Sequence, residues 1–137
     1  MAQVPEGDRT AIAFPDADVE DCEVCGDGGA MKIYVAGPYS APTAREVQAN
    51  VNRAIEVACA LMCKGHFPYI PHLWHYVWLH PDGNFPYRHW VAQGYVWLEG
   101  CDALFYMAPS PGATPERDYA IAKGKAVYTS LDEVPDA

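Results

Sequence analysis

The sequence predicts an α/β protein: a small flavodoxin-like or Rossmann-like domain with a parallel sheet of four to five strands, order 2-1-3-4, flanked by helices. Two observations carry this reading. Short β-rich runs alternate with longer segments of helical periodicity. Turn residues punctuate the joints, notably Gly37-Pro38 and the Ser110 to Thr114 loop. Right-handed crossovers then make 2-1-3-4 the economical strand order.

The first strand is Lys32-Ile-Tyr-Val-Ala-Gly37, closed by Pro38. Thr43 with Glu46 three residues on forms a capping box. Val47, Val51, Ile55, Ala58 and Met62 follow at helical spacing, and Gly65 ends that helix. Residues 66–72 make a short second strand interrupted by prolines, and 73–85 read as a long aromatic loop with a Pro81-Asp82-Gly83 turn. A helix is expected from Pro86 to about Glu99, weakened by Gly94. Strand three is 101–107, helix three runs from Pro115 to about Lys123, strand four is 125–129, and Ser130 opens a short final helix.

At 137 residues the chain is one domain with a real core, and no apolar run approaches a membrane span. Its charge of −9 is unevenly spread, because residues 1–30 hold eight acids and one base, Arg9. Residues 1–30 therefore read as an acidic flexible extension and 31–137 as the folded domain, with Met31 a possible alternative start. Without a basic stripe, duplex nucleic acid is not an expected partner. No signal-peptide pattern appears at the N-terminus, and a soluble, cytoplasmic protein is expected. Of the five cysteines, Cys59, Cys63 and Cys101 read as small buried hydrophobes in a reducing compartment. Cys22-x-x-Cys25 resembles half a zinc knuckle, but no second pair follows at suitable spacing, so no metal is expected.

Two loops stand at the carboxyl edge of neighbouring strands: 37–40 after strand one and 110–116 after strand three. In a 2-1-3-4 sheet their crossovers leave in opposite directions, so both loops should border one crevice, where ligands bind. Gly37 and Gly112 would permit close backbone approach to a ligand. Thr114 reads as the N-cap of helix three, Pro115 as its first residue and Glu116 as its second. The positive helix terminus should keep Glu116 ionised and could also hold a phosphate. The same three residues equally read as a well-made helix start with no further role.

Taken together, Tyr34-x-x-Gly37-Pro38, Gly65 with Pro71-His72, Cys101-Asp102-Ala103-Leu104, Ser110-x-Gly112-Ala113-x-x-Glu116 and the stretch Ala120 to Gly124 carry a resemblance. In order and spacing they resemble the nucleoside 2-deoxyribosyltransferase-like superfamily. Within it the chain looks most like a small domain family of unknown function often found in phages, and the likeness spans 32–129.

The resemblance implies N-glycosidic chemistry without a cofactor. The glutamate matching Glu116 attacks the anomeric carbon of a nucleoside or nucleotide, and the tyrosine matching Tyr34 orients it. A carboxylate suits that chemistry, because breaking an N-glycosidic bond builds oxocarbenium character. Ser110, six residues before Glu116, matches the serine that binds the 5′-phosphate in the branch acting on nucleoside monophosphates. The resemblance also implies a homo-oligomer.

One departure stands out: the usual acidic residue eight positions before Asp102 is replaced by Gly94. His89, Gln93 or His72 could take over as proton donor, although each also reads as structural. Asp102 is expected to cap or orient its strand. Arg45 could reach a phosphate or could simply be a solvated helix residue. The aromatic stretch Trp74, Tyr76, Trp78 and Phe85 reads as a base-stacking lid or as a packing or subunit interface. A metal site from His72, His75 and His80 is a third, weaker option. A non-catalytic nucleotide-binding or sensing module is the alternative to the enzyme, and a purely structural assembly protein a third possibility.

Overall fold

The computed structural model describes residues 29–137; most of the acidic extension, with Cys22 and Cys25, lies outside the described residues. The elements run β1 Lys32–Ala36, α1 Ala44–Cys63, β2 Phe67–Tyr69, α2 Trp74–Leu79, α3 Tyr87–Glu99, β3 Ala103–Tyr106, α4 Ala113–Ala122 and β4 Ala126–Tyr128. Short 3-10 turns occupy Pro71–Leu73 and Leu131–Glu133. The four strands form one sheet of order β2-β1-β3-β4, parallel throughout. This is the expected α/β fold and strand order. Among the described residues no helix is long and apolar enough to cross a membrane.

Strand pleating divides the core between the two faces of the sheet. Ile33, Val35, Ala103 and Phe105 meet Ala54 and Leu61 of α1, and Val134 from the C-terminal segment completes that layer. Tyr34, Ala36, Leu104 and Tyr106 point the other way and meet Leu98 of α3 with Ala113 and Ala120 of α4. The helices after β1 and β3 thus cover opposite faces, while Val35 and Phe105 are register partners on adjacent strands. That combination defines a topological switch point at the carboxyl ends of β1 and β3.

The ends of α1 follow the sequence closely. The Thr43 hydroxyl accepts the Glu46 amide at 3.1 Å. At the other end Gly65 takes φ 96°. The Gly65 amide bonds to Met62 and the His66 amide to Leu61, closing a Schellman motif that only glycine enters without strain.

Four expectations need correction. The inward stripe of α1 runs through Asn50, Val51, Ala54, Ala58 and Leu61, which leaves Met62 exposed. Cys59 and Cys63 are exposed rather than buried, because they lie on the side of α1 away from the sheet; Cys101 is buried as expected. Residues 74–79 form a helix where an aromatic loop was expected. A helix of that length is marginal alone. Here Trp74 packs against Tyr69 and Trp90, and His75 is bonded to the Tyr39 hydroxyl at 2.8 Å. Finally, α4 begins at Ala113, two residues earlier than expected.

Candidate functional site

Tyr34 lies in the middle of β1, fully buried, with its ring on the α3–α4 face of the sheet. Glu116 lies in the first turn of α4. Their side chains meet although they are 82 residues apart: the Tyr34 hydroxyl donates to Glu116 Oε2 at 2.8 Å. Burial, then the neighbouring Glu116 charge, drives the Tyr34 pKa far upward, so the phenol keeps its proton and remains a donor.

Glu116 departs from expectation. Burial pushes its carboxyl up to about 7, and the Tyr34 hydrogen bond opposes that only in part. The helix terminus does not dominate. One of its free amides is already used, since Ala113 N donates to Ser110 Oγ at 2.9 Å, and Glu116 is the fourth residue of the helix rather than the second. The group is therefore poised to exchange a proton near neutral pH rather than being firmly ionised.

Gly94 on α3 forms the third side of the site. A Cβ at this position would sit 2.9 Å from the Tyr34 hydroxyl, 3.2 Å from Glu116 Oε2 and 4.0 Å from the Trp74 ring. The glycine is the space that lets α3 close over the pair. In the sequence Gly94 stands out as a helix-weakening residue and as the place of a missing acid; its steric role depends on Tyr34 and Glu116, which are distant in the chain.

Around this centre stands an aromatic wall that the sequence pointed to only in part. Tyr34 stacks on Tyr69 at 5.8 Å between centroids, and Tyr69 stacks on Trp97 at 4.9 Å. Trp74 lies edge-on to Tyr69 at 5.9 Å and against Trp90 at 5.7 Å. Of the four expected lid aromatics, Trp74 joins this wall, while Tyr76, Trp78 and Phe85 remain about half exposed.

The loop after β1 is fastened from below. Asn50 Nδ2 donates to the Tyr39 carbonyl at 2.9 Å. His72 is buried with Nε2 3.2 Å from both the Gly37 and Pro38 carbonyls, which identifies Nε2 as the protonated nitrogen. Its Nδ1 is buried without a hydrogen-bond partner among the described residues. Burial lowers the His72 pKa more than the two carbonyls raise it. His72 is thus a neutral ring that positions Gly37 and Pro38, which does not suit it to donate a proton near neutral pH.

The remaining candidates separate clearly. Gly37 faces Met107 across the strand ends, where a Cβ would come within 2.7 Å of its sulfur, so its small size serves packing between loops. Gly112 has nothing within 4 Å of a Cβ position and borders open space. Thr114 is not the N-cap; that position is Gly112. The Thr114 hydroxyl instead pairs with the Tyr106 hydroxyl at 2.9 Å. Arg117 lies over the Tyr106 ring at 4.9 Å, adding a cation that the sequence reading did not select. Arg45 is exposed at the start of α1. His89 stacks on Phe85 on the outer side of α3, and its ring contacts are Phe85 and Trp90 rather than Tyr34. Asp102 orients its strand as expected, its carboxylate accepting the Lys32 amide at 2.9 Å.

No group of three or more histidine, cysteine or acidic side chains among the described residues is arranged to hold a metal. His72, His75 and His80 turn to separate partners: the Gly37 and Pro38 carbonyls, the Tyr39 hydroxyl and the Asp82 amide. Two surface concavities, one lined by Tyr76, Val77, His80, Asp82 and Gly83 and one by Arg53, Glu56, Val57, Met107 and Leu131, do not include Glu116. The Tyr34–Glu116–Gly94 centre is closely packed.

Residues 31–130 match the model of a family described as Domain of unknown function (DUF7768), and the chain belongs to that family. No curated protein matches it.

Proposed function

We propose that this domain cleaves or transfers the N-glycosidic bond of a nucleoside 5′-monophosphate, with Glu116 as nucleophile and Tyr34 as its orienting partner. The observation that carries the reading is the 2.8 Å bond from the Tyr34 hydroxyl to Glu116 Oε2, beside the switch point of the sheet. The bond fixes one carboxylate oxygen and leaves the other to approach an anomeric carbon. Attack forms a bond from that oxygen to the sugar carbon as the bond to the base breaks. The departing base takes the electron pair, and water or an acceptor base then resolves the glycosyl ester.

Because the nucleophile must be ionised and its carboxyl lies near 7, the rate should rise as pH increases through that value. Gly112 and the Ser110 hydroxyl, at the open start of α4, are the groups we assign to the phosphate. The chromatographic release of free base from the common deoxy- and ribonucleoside monophosphates tests the reading. Turnover by the wild type that falls at least about a thousandfold in Glu116→Ala and Glu116→Gln supports it. The absence of turnover across the panel overturns it.

A second reading draws on Gly94. The contact distances at its Cβ position leave no room for an acid there without displacing Tyr34 or Glu116. A non-catalytic nucleotide-binding module on the same fold would not need that proton donor. Thermal stabilisation by nucleotides without release of base separates this reading from the enzyme.

A further inference from the structure

Five cysteines occur in the chain, and Cys101 is the one buried in the described core. Cys59 and Cys63 are free and exposed on α1. Cysteine is among the residue types most often buried, so two on the outside of one helix call for a reason. Four residues apart, they are one turn apart along the helix and about 40° apart around its axis. They therefore share one face, turned away from the buried stripe of Val51, Ala54, Ala58 and Leu61.

This spacing excludes one use of the pair and suits another. Side chains so placed have Cβ atoms about 5–6 Å apart, beyond the roughly 3.5–4.5 Å that a disulfide spans. In a tetrahedral zinc–thiolate site, with Zn–S bonds of about 2.3 Å, two sulfurs lie about 3.8 Å apart. Thiols on one helix face reach that distance by turning toward each other. Two thiolates leave two corners of the tetrahedron, and no third histidine, cysteine or acid among the described residues is arranged to fill them.

The missing pair is present in the sequence. Cys22-Glu-Val-Cys25 has the spacing with which one loop supplies two zinc ligands. As a motif it lacks a partner, because Cys59 and Cys63 become a pair only when wound into a helix and turned outward. Cys25 precedes Met31 by six residues, a span of up to roughly 20 Å. Met31 is fixed at the end of α1: its amide donates to His66 Nδ1 at 3.1 Å, and its carbonyl accepts the Phe67 amide at 2.9 Å. The His66 amide donates in turn to the Leu61 carbonyl at 3.0 Å, in the turn of α1 that carries Cys63. A helix with its side chains is about 10–12 Å across, so the tether reaches its outer face. The intervening Gly26, Gly28, Gly29 and Ala30 bring little bulk.

We propose that Cys22, Cys25, Cys59 and Cys63 bind one zinc ion, which fastens the N-terminal extension to the outer face of α1. Four Zn–S bonds form as the four thiols release their protons to solvent. Thiolates select zinc over calcium and magnesium, which take oxygen ligands. With four protein ligands the site is closed and therefore structural. It lies where α1 ends and β2 begins, at the amino ends of the strands, whereas Glu116 lies at their carboxyl ends. The proposal thus stands or falls independently of the glycosidic reading.

Metal analysis of the full chain, purified without chelator, tests it. The expected result is about one zinc per chain, and cobalt in its place should show tetrahedral ligand-field bands with strong sulfur-to-metal charge transfer. Zinc affinity is measured by competition with a chromophoric chelator. The paired variant Cys22→Ser/Cys25→Ser and, separately, Cys59→Ser/Cys63→Ser should each bind at least about a thousandfold more weakly, because half of the ligands are gone. Far-ultraviolet circular dichroism checks that both remain folded, and the first pair lies outside the described domain. A mixture of the two variants should not recover tight binding. A full chain without zinc affinity, or one holding iron and sulfide instead, overturns the proposal. So does zinc retained by either paired variant. Recovery on mixing also overturns it, because the two ligand pairs then meet between copies.

Discussion

A carboxyl group held near neutrality gives this small domain a pH dependence that a surface acid would not. The folded state raises Glu116 to about 7, whereas in the unfolded chain it titrates near about 4.3. Stability from this group is therefore complete below the unfolded value, where both states carry the proton. It declines as pH rises, because the unfolded chain ionises first, and the loss is complete once the folded carboxyl has ionised above about 7. Glu116→Gln keeps the shape and removes the titration. Urea unfolding should find the variant close to wild type at about pH 3 and more stable by about 3 kcal/mol at about pH 8. Equal stabilities at both pH values would mean that Glu116 is not desolvated in solution. Glu116 itself was legible from the sequence, as an acid at a helix start after a small-residue loop. Its protonation was not, because desolvation depends on what lies over the carboxyl, and that is set by α3, which packs against it at Gly94.

At the scale of elements, α3 shows how tertiary packing overrides propensity. Gly94 costs an isolated helix about 1 kcal/mol relative to alanine, yet α3 runs unbroken from Tyr87 to Glu99. Gly94→Ala should restore the propensity and still destabilise the protein by about 1–2 kcal/mol, since its methyl would press on the buried Tyr34 hydroxyl at 2.9 Å. Chemical denaturation checks the sign; a variant more stable than wild type would show that Tyr34 can move aside. The capping of α1 was legible because Thr43, Glu46 and Gly65 act through local bonds. The helix α2 was not, since its aromatic sequence has no caps and its stability comes from Tyr69, Trp90 and Tyr39. The inward stripe of α1 was misjudged at Met62 for a related reason: Leu61 and Met62 are both apolar, and the neighbouring sheet decides which turns inward.

Across the whole molecule, the C-terminal segment closes the core beneath α1. Val134 is buried among Ile33, Val35, Leu61 and Phe105. His66 joins both ends of the described chain, accepting the Met31 amide at Nδ1 and donating from Nε2 to the Pro135 carbonyl at 2.6 Å. Val134→Ala should therefore cost about 2 kcal/mol, comparable with other buried truncations and well above a surface change. Thermal unfolding measures it, and a cost below about 0.5 kcal/mol would mark the segment as loosely attached.

Read without structure, the residues settle the α/β class, the parallel order 2-1-3-4, the bounds of α1 and the place of Glu116 at the start of a helix. These rest on periodicity, capping and turn chemistry, which act over a few residues and leave local marks. Only the tertiary structure decides that Tyr34 and Glu116 meet, that Gly94 is the space beside them, that His72 holds a loop, and that the aromatic stretch is a short helix. Each of these depends on contacts between residues distant in the chain, made after the sheet has brought its strands into register, and no local pattern encodes such a meeting.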